Sequence, residues 1–174
     1  MRCRFRGLLR DRDVMVRRMG DPLATYLHDH LAASAFAVDL LKEVRDQYRD
    51  DSLGQVASSL LADIEEDRNT LKGIVDRVGK GSVGLKEAGA WLAEKATRPK
   101  LSHGDARGLG TFQAVETLAL GILGKIALWR TLIVVAETDV RLRDINFQQL
   151  LERAESQHAT TEKNRLLLAR EAFS

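Results

Sequence analysis

The sequence contains little cysteine, proline or aromatic residue, and each shortage excludes a class of structure. Cys3 is the only cysteine of the 174 residues, so neither an intrachain disulfide nor a cluster of thiolate metal ligands can form. Two prolines and an aromatic content of 5% suit helices better than sheets, and alanine, leucine, glutamate, arginine and lysine are abundant. We therefore predict an all-α fold and, because no disulfide is available, a cytoplasmic location.

Basic residues are concentrated at the N-terminus. Residues 1–20 hold seven arginines, accompanied only by the acidic residues Asp11 and Asp13. Such an arm could contact nucleic acid or anionic lipid. However, Phe5 is the only aromatic ring among these charges, so we interpret the arm as a solvated tail and do not expect nucleic acid as a partner. No apolar run follows it, which is unlike a secretory signal.

Residues 21–174 are expected to form one folded domain containing four long helices. Capping residues and apolar spacing predict their starts. The predicted caps are Asp21 followed by Pro22, Ser52 with Gln55, Thr111, and Asp144. The predicted helices are 22–49, 52–78, 111–136 and about 145–172.

The third predicted helix, which contains AVETLALGILGKIALWRTLIVVA, is apolar around nearly its whole circumference. Its length raises the question of a membrane span. Glu116, Lys125 and Arg130 lie within it, and a charge near the middle of a lone bilayer helix is strongly unfavourable. We therefore expect a core helix rather than a membrane span, with Gly121 and Gly124 allowing a neighbouring backbone to approach closely.

The connection lengths predict the topology. The tight link between the first two helices requires an antiparallel hairpin, and a long crossover with a short helix at about 84–97 precedes the second pair. This is the order of a four-helix bundle with one long crossover. Over residues 21–173 the chain resembles the ferritin-like superfamily, and the stretches AVETLALGILGKIALWRTL and LADIEEDRNTL resemble an uncharacterised group of bacterial ferritin-like proteins.

The resemblance implies a specific ligand pattern against which the sequence can be compared. A ferritin-like di-iron site takes a Glu from each of two helices and a Glu-x-x-His from each of the other two. Glu155 and His158 have that spacing in the fourth helix, and Glu116 lies in the third. The second helix contains no histidine, and residues 34–37, at the matching level of the first, contain no carboxylate. No metal is therefore favoured; if iron or manganese binds, the expected ligands are Glu116, Glu155 and His158.

Lys125 suggests what occupies the bundle centre instead of a metal. An ammonium group in the middle of the most apolar helix repels cations and requires a carboxylate partner. Asp67, which interrupts the apolar stripe of the second helix, and Glu155 are the candidates. We predict a buried polar layer of Asp67, Lys125, Glu155 and His158. Trp129 is expected to pack in the core with its indole N–H hydrogen-bonded.

Three classes of function are compatible with these residues. The favoured one is a metal-free bundle that acts through a protein partner or self-association, with Trp91 and the crossover helix as the contact surface. The second is a carboxylate-bridged metal protein or oxidoreductase with an irregular site. The third is a small-molecule binder whose polar layer lines a pocket. Catalysis is not expected, because no Ser or Cys is placed as an activated nucleophile.

Overall fold

Four long α-helices dominate the computed structural model, which describes residues 21–79 and 108–174. A short 3-10 turn, Val140–Leu142, lies between the last two helices. The helices are α1, Pro22–Gln47; α2, Ser52–Gly79; α3, Leu109–Ala136; and α4, Phe147–Phe173. Neither described segment contains a strand, so the all-α prediction is confirmed there. The arm, the predicted short crossover helix and Trp91 lie outside the described residues.

Two of the predicted caps are wrong. The Asp21 side chain does accept a hydrogen bond from the Leu23 backbone N–H, at 2.9 Å. However, α3 begins two residues before Thr111, after Gly108, whose φ of 71° is a left-handed conformation that glycine adopts easily. Likewise α4 is capped by Asn146 rather than by Asp144, with its side chain accepting from the Gln149 N–H at 3.1 Å.

Contacts between the helices establish their directions. The hydroxyl of Tyr48, just after α1, lies 2.7 Å from that of Thr111 at the start of α3. At the start of α1, the Tyr26 hydroxyl lies 3.4 Å from that of Thr131, near the end of α3. The helices α1 and α3 are therefore antiparallel. Since α1 and α2 also form an antiparallel hairpin, α2 and α3 point the same way, so α2 ends and α3 begins at opposite ends of the bundle.

A continuous apolar core runs between the four helices. It contains side chains from all of them and from the 3-10 turn. Fully burying each of its larger aliphatic side chains stabilises the fold by about 1.5–3 kcal/mol. The largest side chains with almost no exposed surface include Leu27, Leu41, Ile122, Leu128, Trp129, Leu132 and Leu142.

Gly54, rather than Gly121 or Gly124, is the glycine at a close backbone approach. A Cβ added to Gly54 would lie 1.9 Å from the Tyr48 carbonyl oxygen, so any side chain would collide with the α1–α2 turn. A Cβ added to either glycine of α3 meets nothing within 4 Å. Within residues 21–79 and 108–174 the prediction for Gly121 and Gly124 is therefore wrong, because no backbone of these segments packs against them.

Candidate functional site

Polar side chains interrupt the apolar core at mid-height. Asp67 of α2, only 2% exposed, lies with its Oδ2 atom 2.6 Å from Lys125 Nζ of α3. Arg153 of α4 binds the other carboxylate oxygen, and the Gln157 amide donates to Oδ2 at 3.1 Å. The Gln157 carbonyl oxygen accepts from Lys125. These four residues, which we call the central layer, connect α2, α3 and α4 through one carboxylate.

Helical spacing explains why these side chains meet. Asp67 lies between Ile64 and Leu71, which are both buried, so it takes a place on the inner face of α2. Arg153 and Gln157 are four residues apart and therefore share one face of α4. The sequence places Lys125 and Asp67 at matching heights, and in the structure they are in contact.

The positive charges of the central layer are balanced only when an exposed carboxylate at the surface is included. Burial lowers the pKa of Lys125, and attraction to Asp67 partly offsets this. Burial also acts to lower the pKa of Arg153, but its bonds to Glu66 and Asp67 outweigh burial and raise that pKa. Arg153 Nη1 lies 2.7 Å from the exposed Glu66 carboxylate. Two cations thus face two carboxylates, of which one is buried.

Glu155 and His158 do not belong to the central layer, which corrects the prediction from sequence. The Glu155 side chain is 46% exposed and lies 2.8 Å from Arg130 on the outer surface. His158 is half-buried, and none of the contacts described for it reaches Asp67 or Lys125. The inward positions of α4 are taken by Arg153 and Gln157.

The predicted alternative metal ligands are not brought together. Glu116 Oε1 lies 3.3 Å from Arg165, while Glu155 binds Arg130. Within the two described segments, no three His, Cys, Asp or Glu side chains are arranged to hold a metal ion. A di-iron site requires carboxylates from all four helices, whereas the central layer presents an ammonium, a guanidinium and an amide. The donor set therefore does not fit a di-iron site.

A cavity of about 80 Å³ lies beside the central layer, between α1, α2 and α3. The small residues Ala33 and Gly121 are exposed at its rim, so the cavity opens to solvent. Asp67 and Lys125 of the central layer form part of its wall. The other lining residues are His30, Ala33, Ser34, Ala37, Ile64, Arg68, Leu71, Gly121, Ile122, Leu128 and Trp129.

Two hydrogen-bond donors of the cavity walls have no acceptor. Trp129 is fully buried, and its Nε1 atom has no hydrogen-bond partner within the described residues, contrary to the prediction of a satisfied indole. The buried Nε atom of Arg68 is also unpaired there. Burial lowers the pKa of His30, whose ring packs edge-on against Tyr26 with centroids 4.7 Å apart. The pattern of apolar spacing gives no signal for either unpaired donor.

The chain matches no known family model, no curated protein and no solved structure. By length and composition, α3 is the one described helix that could cross a membrane, and 39% of its most apolar window is buried. Other residues of α3 are exposed, including Leu120, Leu123 and Val134.

The outward face of α3 carries exposed apolar side chains, with the exposed Thr117 and Thr131 among them. Leu120 and Val134 are each 64% exposed, and Leu123 is 45% exposed. Gly124 and Ala127 lie on the same face between them. We call these five residues the α3 stripe. Single exposed apolar side chains are ordinary, whereas several along one helix face mark a contact surface.

Proposed function

We propose that this protein is a ferritin-like four-helix bundle that acts by self-association through the α3 stripe. Two antiparallel hairpins, α1 with α2 and α3 with α4, support the ferritin-like order, as do the matching directions of α2 and α3. The single observation that carries self-association is the exposure of Leu120, Leu123 and Val134 along one face.

The α3 stripe has the shape that pairing between identical helices requires. Leu120 is followed by Gly124 one turn later and by Ala127 in the next turn, so large and small residues lie side by side. In a twofold arrangement each leucine of one copy can fill the gap over a small residue of the other. Withdrawing each large side chain from water favours association by roughly 1.5–3 kcal/mol before entropic losses.

Charges around the α3 stripe favour a second copy over a lipid surface. Helices that lie on membranes carry lysine or arginine beside their apolar face. On α3 the neighbouring cation is Arg130, which is already paired with Glu155 at 2.8 Å. Glu116 is likewise bound by Arg165. The opposite face of α3 is committed to the bundle core, where Ile122, Trp129 and Leu132 are buried.

The proposal includes a centre closed by side-chain ion pairs instead of metal ions. Lys125 and Arg153 lie at the level where a ferritin-like di-iron protein binds its ions, and both repel cations. Elemental analysis of protein purified without chelator tests this part. We expect less than about one-tenth of an equivalent of iron or manganese per chain, which is no more than contaminating metal would supply. A stoichiometric metal content that is lost in His158→Ala would support the metal-protein alternative.

Light scattering on concentrated and diluted protein tests self-association. We expect wild type to be dimeric or larger and Leu120→Glu to shift it towards monomer, because each copy would then bury a carboxylate. Leu167→Glu is the matched control, since Leu167 is 48% exposed on α4 and lies on a different face of that helix from Glu155, which binds Arg130 of α3. A wild-type monomer, or equal masses for all three proteins, would contradict the proposal. Co-sedimentation of monomeric wild type with anionic vesicles, lost in Leu120→Glu, would indicate membrane binding instead.

A further inference from the structure

Lys125 differs in its surroundings from the other lysines of the described residues. Its side chain is 15% exposed, whereas that of Lys42 is 44% exposed and those of Lys72 and Lys163 lie at the surface. Lys125 and its partner Asp67 both form part of the cavity wall. The cavity therefore brings a lysine amine and a carboxylate, with Nζ and Oδ2 2.6 Å apart, to the edge of one largely apolar space.

The cavity is accessible from outside the bundle. Ala33 of α1 and Gly121 of α3 are exposed at its rim, so a small molecule can enter between these helices without unfolding. Ala37, Leu71 and Leu128 supply hydrocarbon surface along the wall. A molecule that enters by this route leaves water for apolar surroundings, which favours an uncharged compound.

Burial prepares the Lys125 amine for reaction. A lysine is a nucleophile only in its unprotonated form, and desolvation in an apolar pocket increases the fraction of that form. Burial is the main influence on the pKa of Lys125 and lowers it, although attraction to Asp67 acts in the opposite direction. Asp67 also lies close enough to Nζ to accept its proton. The amine and the group that can deprotonate it are therefore already in contact.

The charge of the product decides which reagent fits this amine. Acylation of Lys125 gives a neutral amide, and carbon dioxide gives an anionic carbamate. Either product removes the positive charge that faces Asp67, and loss of one partner of a buried ion pair is strongly destabilising. An aldehyde gives an imine, which in its protonated form keeps a positive charge and an N–H on the same nitrogen. Of the three reagents, the aldehyde alone preserves the ion pair with Asp67.

We propose that Lys125 binds small apolar aldehydes covalently and reversibly, as a protonated imine. Asp67 accepts a proton from the ammonium, and the free amine adds to the carbonyl carbon. The resulting carbinolamine loses its hydroxyl group as water when Asp67 returns the proton, so aldehyde and ammonium give iminium and water with no net change in charge. The remaining N–H donates to Asp67, while the Gln157 carbonyl oxygen gives up its bond to Lys125. This binding goes beyond self-association and does not depend on it.

Reductive trapping of the full-length protein with butanal and sodium cyanoborohydride, followed by peptide mass spectrometry, tests the proposal. With limiting aldehyde near neutral pH, Lys125 is expected to gain a butyl group at least about tenfold faster than Lys72, which lies exposed on α2. Protein in urea above its unfolding transition is the control, in which the two lysines should react equally. A Lys125 that reacts no faster than Lys72 in the folded protein, or that keeps its preference in urea, would overturn the proposal.

Two further measurements test the route and the class of compound. Ala33→Trp narrows the mouth of the cavity and should slow the labelling of Lys125 at least about tenfold, whereas Ala159→Trp, at an exposed position of α4, should leave it unchanged. Circular dichroism checks that both variants are folded. Equal labelling of Lys125 in the two variants would exclude this cavity as the route. Glyoxylate, a charged aldehyde, should label Lys72 faster than Lys125, and the opposite order would contradict the preference for apolar aldehydes.

Discussion

Two ion-pair clusters stabilise this bundle, one at its centre and one at its end, and they differ in exposure to water. The central layer is built around Asp67, which is almost fully buried. The second cluster, which we call the end clamp, consists of Arg141, Asp21 and Asp139, with all three side chains partly exposed. Arg141 Nη1 lies 2.5 Å from Asp21 and Nη2 lies 2.6 Å from Asp139.

Ion pairs therefore have different roles in the two clusters. In a buried ion pair the free energy lost with the hydration of the two charges is about as large as the free energy gained from their attraction. Its net contribution to stability is therefore small, although removing one partner is very unfavourable. In the end clamp, water screens the charges, so each ion pair contributes only modestly to the stability of the fold. The central layer therefore acts mainly by holding α2, α3 and α4 in one register. The end clamp joins the start of α1 to the 3-10 turn.

Asp67→Ala has the largest expected effect, because it leaves Lys125 and Arg153 without their buried carboxylate. Removing one partner of a buried ion pair destabilises a protein by about 3–5 kcal/mol. Urea unfolding followed by circular dichroism measures the free energy of unfolding. Glu66→Ala removes the exposed partner of Arg153 from the same helix and should lose less than about 1 kcal/mol. Equal losses in the two variants would erase the distinction between buried and exposed partners.

Replacing both members of the buried pair sharpens the comparison. Apolar side chains of similar volume often substitute for a buried ion pair without loss, and Arg153 keeps its bond to Glu66. We expect Asp67→Leu with Lys125→Met to recover at least about half of the stability lost in Asp67→Leu alone. The four proteins of this double-mutant cycle are compared by urea unfolding. A double variant no more stable than Asp67→Leu would show that the two positions do not compensate each other.

Arg141→Ala breaks the end clamp and should have a smaller effect. Arg141 also donates to the Val78 carbonyl oxygen at 3.3 Å, so the variant removes several bonds at once. Because these groups are partly exposed, we expect a loss of about 1 kcal/mol in the free energy of unfolding. A loss as large as that in Asp67→Ala would mean that exposure does not separate the two clusters.

The end clamp should also depend on pH in a defined direction. For Asp21, burial acts to raise the pKa, but the bonds to Arg141 and to the backbone outweigh it and lower the pKa below 3.8. The Arg141 bond likewise lowers the pKa of Asp139. A carboxylate whose pKa is lower in the folded state contributes stability above 3.8 and loses it as the pH falls further. The difference in unfolding free energy between wild type and Arg141→Ala should thus be constant near neutral pH and shrink below 3.8. A constant difference down to pH 3 would contradict this assignment.

The sequence predicts a feature of the structure well when that feature depends on residues close together in the chain. The cap at Asp21 and the inward positions of Asp67 and Lys125 follow from short-range patterns, namely a proline after the cap and a charge inside an apolar stripe. The end clamp joins residues 120 apart in sequence, Asp21 and Arg141, and no local pattern relates them. Their meeting depends on how the two hairpins pack.

The polar helix α4 shows where an available signal was missed. Leu150, Ala154, Gln157 and Thr161 are buried at helical spacing, so the apolar stripe continues through smaller and polar residues. Extending it beyond Ala154 would have placed Gln157 inward and Glu155, two residues away, on another face. Helix α3 offers a weaker signal. Its apolar residues surround the helix, and the exposed face is marked only by a few polar residues, Thr117, Arg130 and Thr131 among them.

Glu155→Gln has the smallest expected effect and tests the corrected membership of the central layer. Glu155 binds Arg130 on the surface, where both side chains are well exposed, so neutralising it should change the unfolding free energy by less than about 0.5 kcal/mol. Gln157→Glu is the informative partner, because it adds a second carboxylate beside Asp67 at a buried position. We expect that variant to be clearly less stable than Glu155→Gln in urea, with the gap narrowing in acid as the added carboxylate becomes protonated. If Glu155→Gln lowered the free energy of unfolding more than Gln157→Glu did, Glu155 rather than Gln157 would belong to the central layer. Glu155 would then count among the buried charges and not among the exposed ones.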